Sequence, residues 1–144
     1  MQLGQTEDYA VRALVDLAKH PDGRVEDIAR RTGIPAPHLA KVIQALARAG
    51  LVETTRGRRG GVRLLPDPTE IHLRQVVEAM QGPLRFQRCP RRGKGCPLNP
   101  DCPVFRLWSR IEARFGAELE QVHISDLLSN SCALTGPSGP GTPG

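Results

Sequence analysis

Aromatic residues and long apolar runs are what this sequence of 144 residues has least of. Only 3% of its residues are aromatic, whereas 39% are apolar in all. The core must therefore be built from leucine, valine, isoleucine and alanine, which favours small packed helices over a large β-sandwich. No apolar run reaches the roughly 18 residues that a membrane-spanning helix needs. The sequence therefore predicts a chain without a membrane span.

The start of the chain also lacks the pattern of a secretion signal. Residues Met1 to Gln5 do not place a basic segment before an apolar one. We therefore expect a cytoplasmic protein. Thiols stay reduced in that compartment, so the four cysteines are expected to bind metal or to react rather than to form structural disulfides.

Positive charge is in excess over negative charge. The chain has 20 lysines and arginines against 15 aspartates and glutamates, a formal net charge of +5. Small basic domains commonly bind polyanions, and nucleic acid is the first candidate among them. On composition alone, a charge that serves only solubility remains an equal alternative.

The first fifty residues predict three helices. Thr6 is a candidate N-cap for a helix that runs to about His20. A second, short helix is expected to end at Gly33. A third opens at Pro35, where a missing N–H costs little, and ends at Gly50.

A β-hairpin and two further helices are expected next. Residues 51–55 and 61–65 read as strands around a turn rich in glycine and arginine. A helix follows over 73–80, and a long one begins at Val104. The predicted fold class is mostly α with a small β-hairpin, a winged helix-turn-helix followed by a long C-terminal dimerisation helix.

The helix-turn-helix predicts a set of DNA-contacting residues. The second helix of such a pair enters the major groove and presents its N-terminal residues to base edges. The candidates on this helix are Ala36, Pro37, His38, Lys41 and Gln44. The wing would place Arg56, Arg58 and Arg59 near phosphates or in the minor groove. A merely solvated helix face is the alternative for the first set, but clustered arginines repel one another unless an anion offsets them.

The second half of the chain predicts a functional loop and a subunit interface. Residues 84–103 have no apolar periodicity, and such a long loop in a small domain is usually functional or disordered. Apolar residues then recur every three or four positions at Val104, Leu107, Trp108, Ile111, Phe115, Leu119 and Val122. No remaining segment of the chain is expected to cover this stripe, which predicts a second subunit.

The expected domain organisation follows from these patterns. Residues 1–83 form the DNA-binding domain, 84–103 the cysteine loop and 104–128 the dimerisation helix with a final turn. Ser125 is the candidate cap of that turn. Residues 129–144 are rich in serine, glycine and proline, and we expect a disordered tail there.

Three of the four cysteines lie in the loop. Six residues separate Cys89 from Cys96, and five separate Cys96 from Cys102. Zinc sites usually use closer pairs and four protein ligands, whereas iron–sulfur clusters accept wider spacing. The spacing leaves a cluster, a zinc site, a redox thiol switch and inert cysteines open. Cys132 lies in the tail and is taken as incidental.

Several segments together resemble one known family. They are Thr6–Leu14, Ile28–Pro35, the wing Gly57–Gly61, the three-cysteine loop and Ile124–Leu127. These segments resemble the Rrf2 family of winged-helix regulators over about residues 1–128. The resemblance implies that Cys89, Cys96 and Cys102 ligate an iron–sulfur cluster in a dimer formed through the long C-terminal helix.

The resemblance also bears on the cluster type. Members of the NsrR type sense nitric oxide with a 4Fe–4S cluster, whose fourth ligand is an aspartate in the first helix of the other subunit. Asp8 stands at the matching position. Members of the IscR type hold a 2Fe–2S cluster with a histidine three residues after the last cysteine, where this chain has Phe105. The NsrR type and 4Fe–4S are therefore favoured, with Glu7 and His38 as alternative ligands.

The predicted function is a homodimeric transcriptional repressor rather than an enzyme. It would bind a double-stranded DNA operator, and nitric oxide or an oxidant acting on the cluster would lower its affinity. A cluster-assembly or redox regulator of the IscR type and a cluster-free winged-helix regulator are the alternatives. An electron carrier or oxidoreductase has little support, because the chain has no glycine-rich phosphate loop and no second cluster set.

Overall fold

The computed structural model describes residues 3–86, 89, 95–98 and 101–129. Its helices are α1 (Gln5–Lys19), α2 (Val25–Thr32), α3 (Ala36–Arg48), α4 (Leu73–Gln81) and α5 (Pro103–Gln121), followed by a 3-10 turn (Ile124–Leu127). Its strands are β1 (Val52–Thr55) and β2 (Gly61–Leu64). The prediction of a mostly α chain with one hairpin is confirmed. The predicted tail, apart from residue 129, and Cys132 lie outside the described residues.

The predicted cap of α1 is wrong. The helix begins before Thr6, and its N-cap is Gly4. The carboxylate of Glu7 reaches back to that position, where its Oε2 accepts a hydrogen bond from the Gly4 amide at 2.8 Å. This reach-back satisfies an amide that the helix itself leaves unpaired. Glu7 is consequently buried.

The last turn has the same kind of start, and Ser125 is not its cap. The N-cap is His123, whose backbone N–H donates to Asp126 Oδ2 at 2.8 Å. Ile124 is fully buried, and its N–H donates to the carbonyl oxygen of Ile71 at 2.9 Å. The turn therefore packs into the same core as the winged helix.

One apolar core joins α1, α2, α3, α4, the hairpin and the last turn. Its largest fully buried side chains are Leu14, Leu17, Ile28, Leu39, Leu46, Ile71, Ile124, Val52 and Val76. These residues recur at helical spacing on α1 and α3, so each helix turns one continuous stripe inward. The core therefore holds α3 on one side and leaves its opposite face to solvent.

An ion pair fixes α2 against α1. Arg31 Nε and Nη2 donate to the two carboxylate oxygens of Asp16 at 2.9 and 2.7 Å. This hydrogen bond raises the pKa of Arg31, and Asp16 is largely buried. Gly33 then ends α2 with a φ of +73°, a conformation that glycine adopts without strain. The pairing holds the end of α2 against α1, shortly before α3 begins.

The hairpin pairs Val52 with Leu64 and Thr55 with Gly61 in antiparallel register. Val52 and Val62 face the core, while Arg63 on the outer face donates from Nε to Glu53 Oε2 at 2.7 Å. Residues 56–60 therefore project as a short wing beyond the paired strands.

Helix α5 departs from the sequence expectation in one respect. Its apolar stripe divides into an exposed half and a covered half. Val104, Leu107, Trp108 and Ile111 are 48, 45, 42 and 39% exposed. Phe115 is half-buried against Phe86, with ring centroids 5.4 Å apart. The expectation that no segment of the chain covers this stripe is therefore wrong for its second half.

No helix within the described part of the chain is both long enough and apolar enough to cross a membrane.

Candidate nucleic-acid interface and metal centre

The exposed face of α3 carries every residue predicted to face DNA bases. Ala36, Pro37, His38, Lys41 and Gln44 are all exposed. Leu39, Val42, Ile43 and Leu46 are buried on the opposite face. The helix has no acidic residue, and Arg48 adds a further positive charge in its last turn. The arrangement presents a neutral-to-basic helix face, which is compatible with an anionic duplex.

His38 also contacts α1. Its ring meets the Tyr9 ring edge-on, with centroids 6.3 Å apart. A cavity of about 280 Å³ lies between these helices, and Lys41 and Met80 contribute to its lining. The N-terminal turn of α3 is thus positioned by α1, the helix that also bears Asp8.

The wing holds three exposed arginines, Arg56, Arg58 and Arg59. None of the carboxylates in the described ranges forms an ion pair with them. The nearby acid Glu53 is occupied by Arg63. The wing charge is therefore available to phosphate, for which the guanidinium geometry is well suited.

Glycine is required at the wing tip. Gly57 has a φ of +103°, which other residues rarely adopt. A Cβ on Gly60 would overlap the carbonyl oxygen of Thr55. The tight turn places the arginines at the end of the hairpin.

Two residues that hold the wing were not identified from the sequence. Gly23 exchanges backbone hydrogen bonds with Val62, at 3.2 and 2.7 Å between N and O. Arg24 donates from Nη2 to the carbonyl oxygen of Arg58. These contacts tie the wing to the start of α2. They join positions more than thirty residues apart, and no local pattern could have revealed them.

The three loop cysteines are free thiols, and each is partly buried. Cys102 is the N-cap of α5, and the Phe105 N–H donates to its Sγ at 3.5 Å. A helix N-terminus is a place where negative charge is favourable. One candidate ligand is thus built into the start of the helix whose apolar face is exposed.

The donor set fits an iron–sulfur cluster in its chemistry. Three sulfur donors lie within 89–102, and cysteine thiolates are the usual ligands of such clusters. Among the described residues, no three histidines, cysteines, aspartates or glutamates are gathered into a group that could hold a metal ion. A cluster would therefore require the three cysteines to come together.

The three candidate fourth ligands differ in their surroundings. The Glu7 carboxylate is buried and already accepts from Gly4. The Asp8 side chain is 51% exposed on α1, and Arg12 Nε lies 2.8 Å from its Oδ2. His38 is exposed on α3, against Tyr9. Asp8 is therefore the carboxylate on α1 that can be offered to another molecule.

Comparison with known proteins decides the family. Residues 3–130 match the Rrf2 family, described as an iron-dependent transcriptional regulator. The chain belongs to the Rrf2 family. It is 37% identical over 134 residues to the HTH-type transcriptional regulator NsrR of Shouchella clausii (strain KSM-K16), covering 90% of each protein. The predicted family is confirmed, and the chain is a DNA-binding transcriptional regulator rather than an enzyme.

Solved structures support the fold of this Rrf2 protein. IscR of T. potens superposes with a TM-score of 0.67 at 25% identity, over 89% of this chain and 86% of IscR. CymR, the global cysteine regulator of B. subtilis, gives a TM-score of 0.71 at 24% identity, over 89% and 96% of the two chains. The winged-helix prediction and the long C-terminal helix are thereby confirmed.

Proposed function

We propose that this Rrf2 protein is a homodimeric repressor in the cytoplasm, whose affinity for operator DNA depends on an iron–sulfur cluster. The observation that carries the proposal is the position of three free cysteines between the DNA-binding elements and the exposed half of α5. A group bound there would lie, in the order of the chain, between the DNA-binding elements and the helix of the proposed interface.

The DNA-binding half of the proposal rests on α3 and the wing. Lys41 and Gln44 lie on the exposed face of α3, one turn apart, where they can reach base edges in the major groove. Arg58 and Arg59 on the wing would bind the flanking phosphates. The Asp16–Arg31 ion pair holds α2 against α1, and both of these helices pack against α3.

The dimer rests on the exposed half of the α5 stripe. Val104, Leu107, Trp108 and Ile111 follow the i, i+3, i+4, i+7 spacing of a helix–helix interface. A second copy of the chain would cover this stripe by presenting the same one. A symmetric dimer also explains how two recognition helices reach successive major grooves about 34 Å apart.

The cluster would be held by Cys89, Cys96 and Cys102, with Asp8 of the second copy as the fourth ligand. Phe105 offers no side-chain donor at the place where a histidine would favour 2Fe–2S, so 4Fe–4S is the proposed type. A bound cluster would supply reactivity toward nitric oxide or an oxidant. A carboxylate oxygen is a weak partner for a soft iron site, which would leave the Asp8 position exchangeable.

The residues of this chain then convert ligation into DNA affinity. Cys102 connects the segment to α5. Asp8 of the second copy would connect it to that copy's α1, which contacts α3 through Tyr9 and His38. While all four ligands share one group, the two copies keep one separation of their α3 helices. When that sharing ends, the DNA-competent arrangement becomes less populated.

Air-free purification tests this proposal directly. We expect the content of iron and acid-labile sulfide to correspond to about one cluster per chain. We also expect a gel shift with operator DNA that weakens after nitric oxide is added. Serine replacements of Cys89, Cys96 and Cys102 should abolish the iron and reproduce the weak shift. Cys132→Ser is the matched control and should retain both. An equal shift before and after nitric oxide would exclude this sensing route, and a full shift without iron would indicate a cluster-free regulator.

A further inference from the structure

The segment that leads from α4 to Cys89 is held by two carboxylates from different helices. The Leu84 N–H donates to Glu78 Oε1 on α4 at 3.0 Å. The Phe86 N–H donates to Glu112 Oε2 on α5 at 2.9 Å. We call these two side chains the carboxylate clamp.

The side chains of the same segment pack against α5. Leu84 is 6% exposed, and a Cβ on Gly116 would come within 3.4 Å of its Cδ2. Phe86 stacks at a tilt of 43° on Phe115. The glycine therefore gives Leu84 the space to approach the helix backbone closely. Backbone and side chains thus hold residues 84–86 in one place.

Arg74 on α4 donates hydrogen bonds to Glu78 of the clamp and to Glu120 on α5. Its Nε lies 3.2 Å from Glu78 Oε1, and its Nη1 lies 2.6 Å from Glu120 Oε1 on α5. Hydrogen bonds to Glu120 and then to Glu78 raise the pKa of Arg74, which therefore remains charged. Its charge keeps Glu78 oriented toward the Leu84 amide.

We propose that Glu78 and Glu112 are positioning residues for the cysteine segment. Glu112 fixes the chain three residues before Cys89, and three residues span at most about 11 Å. Cys102, at the other end of the segment, caps α5 itself. Both ends of the segment are therefore mounted on α5, and Glu78 connects the first end to α4, which packs against α3.

The clamp connects the cysteine segment to α3, because Glu78 lies on α4 and α4 packs against α3. A change in the group that Cys89 and Cys102 bind would shift residues 84–86. Because these residues are bonded to α4 and α5, both helices would be affected. What the thiols hold rests on the proposed function, whereas the clamp itself is a property of the chain without any bound group.

Amide hydrogen exchange of the full-length, metal-free protein tests the clamp. In Glu112→Ala the Phe86 amide loses a charged acceptor, so its exchange should accelerate by at least about tenfold. Glu112→Gln keeps an acceptor oxygen and should remain within about threefold of the parent protein. Glu112→Ala should also increase the rate of Cys89 alkylation relative to that of Cys102, whereas Glu112→Gln should not.

Glu118→Ala is the matched control, because Glu118 is exposed on the same helix and carries the same charge. It should leave Phe86 exchange and Cys89 alkylation unchanged. Equal exchange in Glu112→Ala and the parent, or an equal acceleration in Glu118→Ala, would overturn the clamp. Circular dichroism checks that each variant is folded. If Glu112→Ala is not, Glu78→Ala decides the test, because it removes the acceptor of the Leu84 amide and should accelerate Leu84 exchange in the same way.

A second measurement separates the clamp from the cluster proposal. After reconstitution, Glu112→Ala should lose iron to a chelator severalfold faster than Glu118→Ala. If no variant binds iron, the cluster proposal fails while the exchange result still decides the clamp. If iron is retained equally but exchange differs, the clamp holds the segment without controlling ligation, which overturns its positioning role.

Discussion

The winged-helix region and the cysteine-bearing region differ in how far they bury their apolar side chains. In the first, Leu14, Leu39 and Leu46 are completely buried by elements of the same chain. In the second, Leu107 and Trp108 are more than two-fifths exposed. The difference teaches that the first region closes its apolar core within one chain, while the second leaves apolar surface that a partner could cover.

The boundary between the two regions runs along α5. Its second half packs through Phe115 and Gly116 against residues 84–86 and Arg74. Its first half extends beyond that contact, with Cys102 at its start. The helix therefore belongs to both regions, and it would connect the proposed cluster and the proposed dimer interface to the DNA-binding core.

The sharpest test of this comparison truncates one leucine in each region. Leu46→Ala should lower the free energy of unfolding by about 2–5 kcal/mol, because it leaves a cavity in a closed core. Leu107→Ala in dilute, monomeric protein should change it by less than about 1 kcal/mol. Urea titration followed by circular dichroism measures both. Equal losses would show that the α5 stripe is as buried within one chain as the core.

A smaller effect is expected at the exposed half of α5. Trp108→Ala removes the largest side chain of the stripe, and a central tryptophan commonly contributes 2 kcal/mol or more to an interface. The dimer dissociation constant should therefore rise by about thirtyfold, measured by sedimentation equilibrium. Leu65→Ala is the control, since Leu65 is 52% exposed outside α5 and should not alter association. An unchanged constant for Trp108→Ala would place the interface elsewhere.

The smallest effect per residue is expected at the wing. Arg58→Ala and Arg59→Ala should weaken binding to all DNA sequences alike and reduce the salt dependence of the binding constant by about one ion per arginine. Fluorescence anisotropy at several salt concentrations measures this slope. Arg114→Ala, an exposed arginine on α5, should leave the slope unchanged. A sequence-dependent loss would instead assign the wing to base reading.

Local patterns predicted most of the fold and part of the site. Gly33 ends α2 as predicted, and Gly82 ends α4. The caps of α1 and of the last turn were mispredicted because the Glu7 and Asp126 side chains reach back to the N-cap from inside their helices. The contact of Arg24 with the wing was missed because it joins distant segments. The ligand set and the dimer remain predictions, because both depend on contacts beyond a single chain.

The sequence by itself determined the order of the helices and the hairpin with its arginine tip, because helical periodicity and turn chemistry act over a few residues. The spacing of the cysteines is read directly from it. Only the tertiary structure decided that Ile124 closes the winged-helix core and that the α5 stripe is half covered. It also decided that Glu78 and Glu112 hold the approach to Cys89. Those outcomes depend on which surfaces meet when distant segments pack, and excluded volume and hydrogen-bond geometry settle that only in three dimensions.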